Sequence, residues 1–166
     1  MPKVAVIIGS ASDKDIIRPC LETLEALQID FSATISSAHR TPERTADLVA
    51  KAETAGAGVF ICAAGMAAHL AGAVAARTIR PVIGLPVAGS ALCGMDALFS
   101  TVEMPSGFPV ATVALNGAKN AALLAAQILA LQDSSLAERL RRERAKMRTD
   151  VEKAALEMEN SIQPNK

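Results

Sequence analysis

Five short apolar runs, each of strand length and each followed by a stretch of helical period, limit this 166-residue chain to few folds. Val4-Ala5-Val6-Ile7-Ile8 ends at Gly9 and is continuous rather than alternating, as expected of a strand buried on both faces. Phe31 to Ile35, Val59 to Ala63, Pro81 to Pro86 and Val110 to Leu115 are read as four more strands. Helical spacing is read over Ile16 to Leu27, Pro42 to Ala55, Ala67 to Arg77 and Met95 to Val102, and then over Ala118 to Leu131 and Ser134 to Glu159. Alternation of this kind predicts an α/β three-layer sandwich around a five-stranded parallel sheet, with ligands at the carboxyl ends of the strands.

Ser12, Asp13 and Asp15 all qualify as N-caps of the first helix. A cap at Asp13 would put Pro19 inside the helix and remove a bond, so a kink or an effective start near Asp15 is expected. In the last helix Leu136, Leu140, Met147, Val151, Ala154 and Met158 form an apolar stripe, and seven of the chain's 17 basic residues occupy the other faces. Residues 1–133 are read as the α/β catalytic part and 134–160 as a helix of the same domain that packs on a neighbouring subunit. Packing on its own domain is the alternative. The 33 alanines, among them Ala67, Ala68, Ala71, Ala75 and Ala76, favour close helix contact and oligomerisation. No internal repeat or low-complexity linker is present.

Composition excludes several function classes. Seventeen Lys and Arg balance seventeen Asp and Glu, so there is no electrostatic footprint for nucleic acid or an anionic membrane. Trp and Tyr are absent, which removes the usual base-stacking platforms. No apolar run approaches the roughly 18 residues of a membrane span. Met1-Pro2-Lys3 leads into the first strand without a secretory leader, and Cys20, Cys62 and Cys93 are an odd set with no paired spacing. Free thiols and a cytoplasmic location are expected.

The loops after the first three strands carry the chemistry. Gly9-Ser10-Ala11-Ser12-Asp13 offers hydroxyls, backbone N–H groups and a helix start suited to an oxyanion, with Asp13 available to a ribose diol. A capped turn with no ligand is the bland counterpart, and the three-glycine dinucleotide fingerprint is missing. Ser36-Ser37-Ala38-His39-Arg40 opens on the same edge: Arg40 provides a fork matched to phosphate and Ser37 a donor. His39 is the candidate for proton exchange. Its bland counterpart has His39 capping Pro42-Glu43 and Arg40 in a surface ion pair. After the third strand, Ala63-Ala64-Gly65-Met66-Ala67-Ala68-His69-Leu70 lets backbone N–H groups approach a carboxylate closely, while His69 serves either a ligand or a local carbonyl.

Together these ends describe a site for a small phosphorylated ribonucleoside. Two histidines on separate loops with scattered thiols make no zinc set, and neither a Gly-x-Ser-x-Gly elbow nor a Walker loop occurs. Cys93 beside Gly94 is a candidate reactive thiol or a plain loop cysteine.

From Val4 to Leu131 the chain resembles the N5-carboxyaminoimidazole ribonucleotide mutases of the PurE type. The resemblance lies in Gly9-Ser10-Ala11-Ser12-Asp13, Ser37-Ala38-His39-Arg40-Thr41-Pro42, Ala67-Ala68-His69-Leu70, Gly94-Met95-Asp96-Ala97-Leu98, Met104-Pro105-Ser106-Gly107 and Asn120-Ala121-Ala122, in that order. It implies a flavodoxin-like sheet and a cofactor-free, metal-free reaction that moves a carboxylate from the exocyclic nitrogen of an aminoimidazole ribonucleotide to ring carbon C4. It also implies His39 as the proton shuttle and a homo-octamer in which the last helix reaches a neighbour. Substrate-binding residues would be Ser10, Ser12, Asp13, Ser37, Arg40, Gly65, Ala67, His69 and Leu70. The phosphate would lie near Ser12, Ser37 and Arg40, and the ribose near Asp13.

A carboxylase branch of the family uses free CO2 and typically lacks the second histidine. His69 and Pro86-Val87 follow the mutase pattern. Ala63 and Met66 stand where many members have glycine, Ala71 where proline is frequent and Glu103 where glutamine is common; Met66 is expected to narrow the pocket. Two readings from other classes stay open. One is a nucleotide sensor that binds through Ser10, Asp13 and Arg40 without needing His39, and the other a carboxylase acting on a different nucleotide.

Overall fold

The computed structural model describes residues 3–162, so the reading of Met1-Pro2 lies outside the described residues. Strands β1 (Val4–Ile8), β2 (Phe31–Ile35), β3 (Val59–Gly65), β4 (Val82–Val87) and β5 (Ala111–Thr112) form one sheet in the order β2-β1-β3-β4-β5. Every pairing is parallel, and β1 runs in step with Phe31–Ile35 on one side and Val59–Ala63 on the other. Helices α1 (Lys14–Ala26), α2 (Pro42–Thr54), α3 (Leu70–Ala75), α4 (Met95–Val102), α5 (Ala118–Ala130) and α6 (Ser134–Ile162) complete the expected α/β sandwich.

Side chains alternate across the strands and build two cores. Val4, Val6, Ile8, Ile61 and Leu85 pack with Ile17, Cys20 and Leu24 of α1 and with the alanine face of α5. Ala5, Ile7, Phe60 and Cys62 face Val49 of α2 and Leu70 and Val74 of α3. Small residues let helices close in: Ala118, Ala121, Ala122, Ala125 and Ala126 are all buried, so α5 approaches the sheet at short range. Burial pushes the Cys20 thiol up to about 12 and the Cys62 thiol higher still, which makes both inert core groups.

Several boundaries differ from the sequence reading. Asp13, one of the three candidates, occupies the N-cap position of α1 but makes no side-chain cap bond. A 3-10 turn, Ala11–Asp13, precedes the helix, and Ser10 caps that turn by accepting the Ser12 N–H at 3.3 Å. α1 then starts at Lys14 and includes Pro19 in its interior. α3 is shorter than Ala67 to Arg77, because two tight turns occupy the loop ahead of it. Ala68 N–H donates to Met66 O at 2.9 Å and His69 N–H to Ala67 O at 2.6 Å. β5 is two residues long rather than six. Val113 N–H still reaches Gly84 O at 3.0 Å and Asn116 N–H reaches Pro86 O at 2.9 Å, but Pro86 has no N–H to return, so the ladder stops.

Asp133 sets the start of α6: its Oδ1 accepts the Leu136 N–H at 3.0 Å and the Ser135 hydroxyl at 2.7 Å, and Lys3 reaches its Oδ2 at 3.2 Å. The Leu136 amide first, then Ser135 and Lys3, hold the carboxyl well below its ordinary range. Its contribution to stability is therefore present above the usual carboxylate range and is lost as pH falls through the lowered value. The stripe on α6 splits along its length. Leu136 and Leu140 are buried in the first core, whereas Val151 and Met158 are 69% and 66% exposed.

Gly84 is the tightest point of the second face. A Cβ there would overlap Thr101 Cγ2 and lie 2.9 Å from Val110 Cγ1. Gly84→Ala is expected to lower the unfolding free energy by about 1–3 kcal/mol, read from urea denaturation.

Candidate active site

The loops after β1, β2, β3 and β4 enclose a cavity of about 740 Å³ at the carboxyl edge of the sheet. Strand order explains the place. The chain passes from β2 back across β1 to β3, so connections leave β1 and β3 toward opposite faces and open a crevice between them.

After β1, Gly9 N–H donates to Ala63 O at 2.8 Å and ties this loop to β3. Ser12 Oγ then lies 2.8 Å from Ser10 Oγ and 2.9 Å from Asp13 Oδ1, a row of oxygens along one wall.

The loop after β2 is pinned from below. Ser36 is buried, its N–H donating to Ile8 O at 2.9 Å and its hydroxyl lying 2.9 Å from Thr45 Oγ1 and 3.2 Å from Thr41 Oγ1. Ser37 N–H donates to Thr41 Oγ1 at 3.1 Å, and Arg40 N–H donates to Ser37 Oγ at 3.2 Å. This network fixes the backbone of His39 and Arg40 and leaves their side chains exposed. Among the described residues Arg40 forms no ion pair, and Thr41 rather than His39 holds the N-cap position of α2. Both bland readings of this loop are therefore absent.

His69 occupies the N-cap position of α3, one residue before the helix, and makes no side-chain cap bond. Its ring stacks instead on His39, with centroids 5.7 Å apart and planes 17° from parallel. The two histidines of the chain, thirty residues apart in sequence, thus meet across the pocket. Opposite them Gly65 passes so close to β4 that a Cβ would stand 3.1 Å from Val87 O, and Asn116 Oδ1 accepts the Ala88 N–H at 2.9 Å to hold the last loop.

All ten residues singled out in the sequence, Ser10, Ser12, Asp13, Ser37, His39, Arg40, Gly65, Ala67, His69 and Leu70, line this one cavity. Ile16, Ala64 and Val87 to Gly89 line it too and were not singled out. The rule that ligands sit at strand ends applies equally to the fourth strand and was the available signal for the last three. Cys93 is exposed and is not among the lining residues. Among the described residues no three His, Cys, Asp or Glu side chains are placed to hold a metal ion, and no helix is long and apolar enough to cross a membrane. A second groove of about 560 Å³ between α1, α5 and α6 carries cations, but Lys119 is paired with Glu143 at 3.4 Å and Arg139 donates to Leu27 O at 2.8 Å. No histidine or cysteine lines it.

The sequence profile of the AIR carboxylase family matches residues 3–150. This chain belongs to the AIR carboxylase family. Within that family it is 47% identical to the N5-carboxyaminoimidazole ribonucleotide mutase of Thermotoga maritima, over 96% of this chain and 93% of the other. It is 49% identical to the mutase of Saccharolobus solfataricus, over 95% and 99%, and 47% identical to that of Escherichia coli, over 83% of each. The crystal structure of Treponema denticola PurE superposes with a TM-score of 0.83 at 28% identity, covering 99% of this chain and all of the other. The AIR carboxylase fold therefore extends over the sheet and all six helices.

Ser36→Ala removes the hydroxyl that joins Thr41 to Thr45 beneath the His39–Arg40 loop. The variant is expected to lose about 1–2 kcal/mol of stability in urea denaturation.

Proposed function

We propose that this chain is an N5-carboxyaminoimidazole ribonucleotide mutase of purine biosynthesis, converting its substrate to 4-carboxy-5-aminoimidazole ribonucleotide. The observation that carries the reading is His39. Its ring stands in the pocket beside Arg40 and stacks on His69, and among the described residues no hydrogen bond occupies its ring nitrogens, which leaves them for proton transfer. The curated relatives of this family bear the same activity over nearly the whole chain.

In this reading Arg40 and the hydroxyls of Ser12 and Ser37 hold the phosphate, a geometry suited to a guanidinium fork and short donors. Asp13 and Ser10 take the ribose side. The imidazole then lies between the two histidines and the Gly65–Ala67 wall, with His69 and Leu70 at its edge. Loss of the carboxylate from the exocyclic nitrogen requires a proton at that nitrogen. Forming the C4 carboxylate requires removal of one from C4. His39 gives the first and takes the second, so one group serves both halves and ends as it began. Between the halves CO2 must stay in place, and the pocket contributes positioning and exclusion of water rather than bond making. No cofactor enters this scheme.

The protein works in this reading as a cytoplasmic homo-oligomer, an octamer by resemblance. Two exposed apolar faces support association: Met95, Phe99 and Val102 on α4, and Val151, Met158 and Ile162 on α6. Each presents three large apolar side chains to solvent along one helix. Analytical ultracentrifugation is expected to find a single assembly of several subunits, and Val151→Glu with Met158→Glu to shift it to smaller species. A monomeric parent protein would remove this part of the proposal.

Turnover of the purified protein with N5-carboxyaminoimidazole ribonucleotide, compared with aminoimidazole ribonucleotide plus bicarbonate, tests the reaction. Efficient conversion of the first alone is expected, and activity only at high CO2 would point to the carboxylase branch. His39→Asn should bind substrate nearly normally and lose turnover by orders of magnitude. Arg40→Ala should weaken substrate binding by about 2 kcal/mol through loss of a charged hydrogen-bond pair.

A further inference from the structure

Met66 carries two local penalties at once, and both would vanish with glycine in its place. Its φ of 56° is left-handed, where the Cβ of an L-residue crowds the following carbonyl. Its thioether side chain is also 68% exposed. The other non-glycine residues with such a backbone, Gln28, Cys93 and Asn116, lack this combination. Asn116 uses its side chain to hold Ala88, Gln28 is polar and lies just past the end of α1, and Cys93 has a short side chain.

Met66 also lines the cavity. Of its apolar neighbours there, Leu70 and Val87 are buried and Ile16 is half-buried, so their side chains are committed to the wall. Ala64, Gly65, Ala67, Ala88 and Gly89 are too small to reach over a ligand. Met66 is thus the one long, flexible apolar side chain at the mouth that is free to settle on something bound.

We propose that Met66 is an apolar cover over the carboxyl-bearing end of the nucleotide, which retains the CO2 set free between the two half-reactions. The inference rests on the mutase reading and assigns to one side chain the containment which that reaction needs. In the first half the nitrogen–carboxyl bond breaks, its electron pair stays on nitrogen, and nitrogen takes the His39 proton. In the second half C4 attacks the CO2 carbon and returns its own proton to His39, so atoms and charge balance with no other reactant. CO2 carries no net charge. A side chain that excludes water without donating hydrogen bonds can confine it, whereas a polar one would bring water along.

The test uses substrate labelled with carbon-13 in its carboxylate, in unlabelled bicarbonate buffer, with label read in the C4 carboxylate of the product. Release from substrate without enzyme is subtracted. The wild-type protein is expected to retain most of the label. Met66→Gly and Met66→Asn both suit a left-handed backbone, and each should lose at least threefold more label per product molecule, with a melting temperature no lower than wild type. Equal retention in either variant overturns the proposal. Loss of label together with lower melting temperatures in both variants also overturns it, because Met66 would then be structural. Absence of product from the wild-type protein would instead remove the mutase reading itself.

Discussion

The central strands β1, β3 and β4 are buried on both faces over most of their length, with Val4, Val6 and Ile8 toward α1 and α5 and Ala5 and Ile7 toward α2 and α3. That double burial dictates the rest of the architecture. Parallel neighbours require a crossover between strands, and the crossovers are the helices that cover the faces. Alanine-rich α5 packs closely because the residues it buries fully, Ala118, Ala121, Ala122, Ala125 and Ala126, carry nothing longer than a methyl group, and Gly84 makes the corresponding allowance for Thr101 on the other side.

With both faces of the central strands covered, a ligand has room only at the ends of those strands. The carboxyl edge receives the loops after β1, β2, β3 and β4, and the order β2-β1-β3-β4-β5 makes the connections from β1 and β3 diverge above their junction. The cavity at that junction is therefore a consequence of topology. Its chemistry is a matter of which residues the four loops happen to carry.

Those loops are held by hydrogen bonds more than by apolar contact. Ser36, Thr41 and Thr45 form a small polar anchor beneath His39 and Arg40, Asn116 anchors Ala88, and Ser10, Ser12 and Asp13 brace one another. Beneath His39 and Arg40 the anchors are neighbouring side chains, whereas Ser10, Ser12 and Asp13 both line the cavity and brace one another. The backbone of His39 and Arg40 is consequently fixed while their side chains stay exposed at the cavity.

Strands β1, β3 and β4 were legible in the chain because a strand buried on both faces must be continuously apolar, and the site was legible because polar residues such as Ser10, Asp13, His39 and Arg40 directly follow strand ends. Helix starts were less so. Ser10 rather than Ser12 or Asp13 caps the first turn, and Pro19 sits inside α1, since the tie from Gly9 to Ala63 in a strand distant in sequence sets where the chain can turn. Truncation of β5 depended on Pro86 in the adjacent strand, and the split of the α6 stripe on where the sheet ends. The amino-acid sequence by itself determined the fold class, the family and ten of the residues that line the pocket, because local apolar pattern and short motifs are properties of contiguous segments. Only the tertiary structure decided that His39 meets His69, that Ser36 anchors their loop and that Met66 stands left-handed at the mouth, because each of these is a contact or a strain imposed by segments brought together in space.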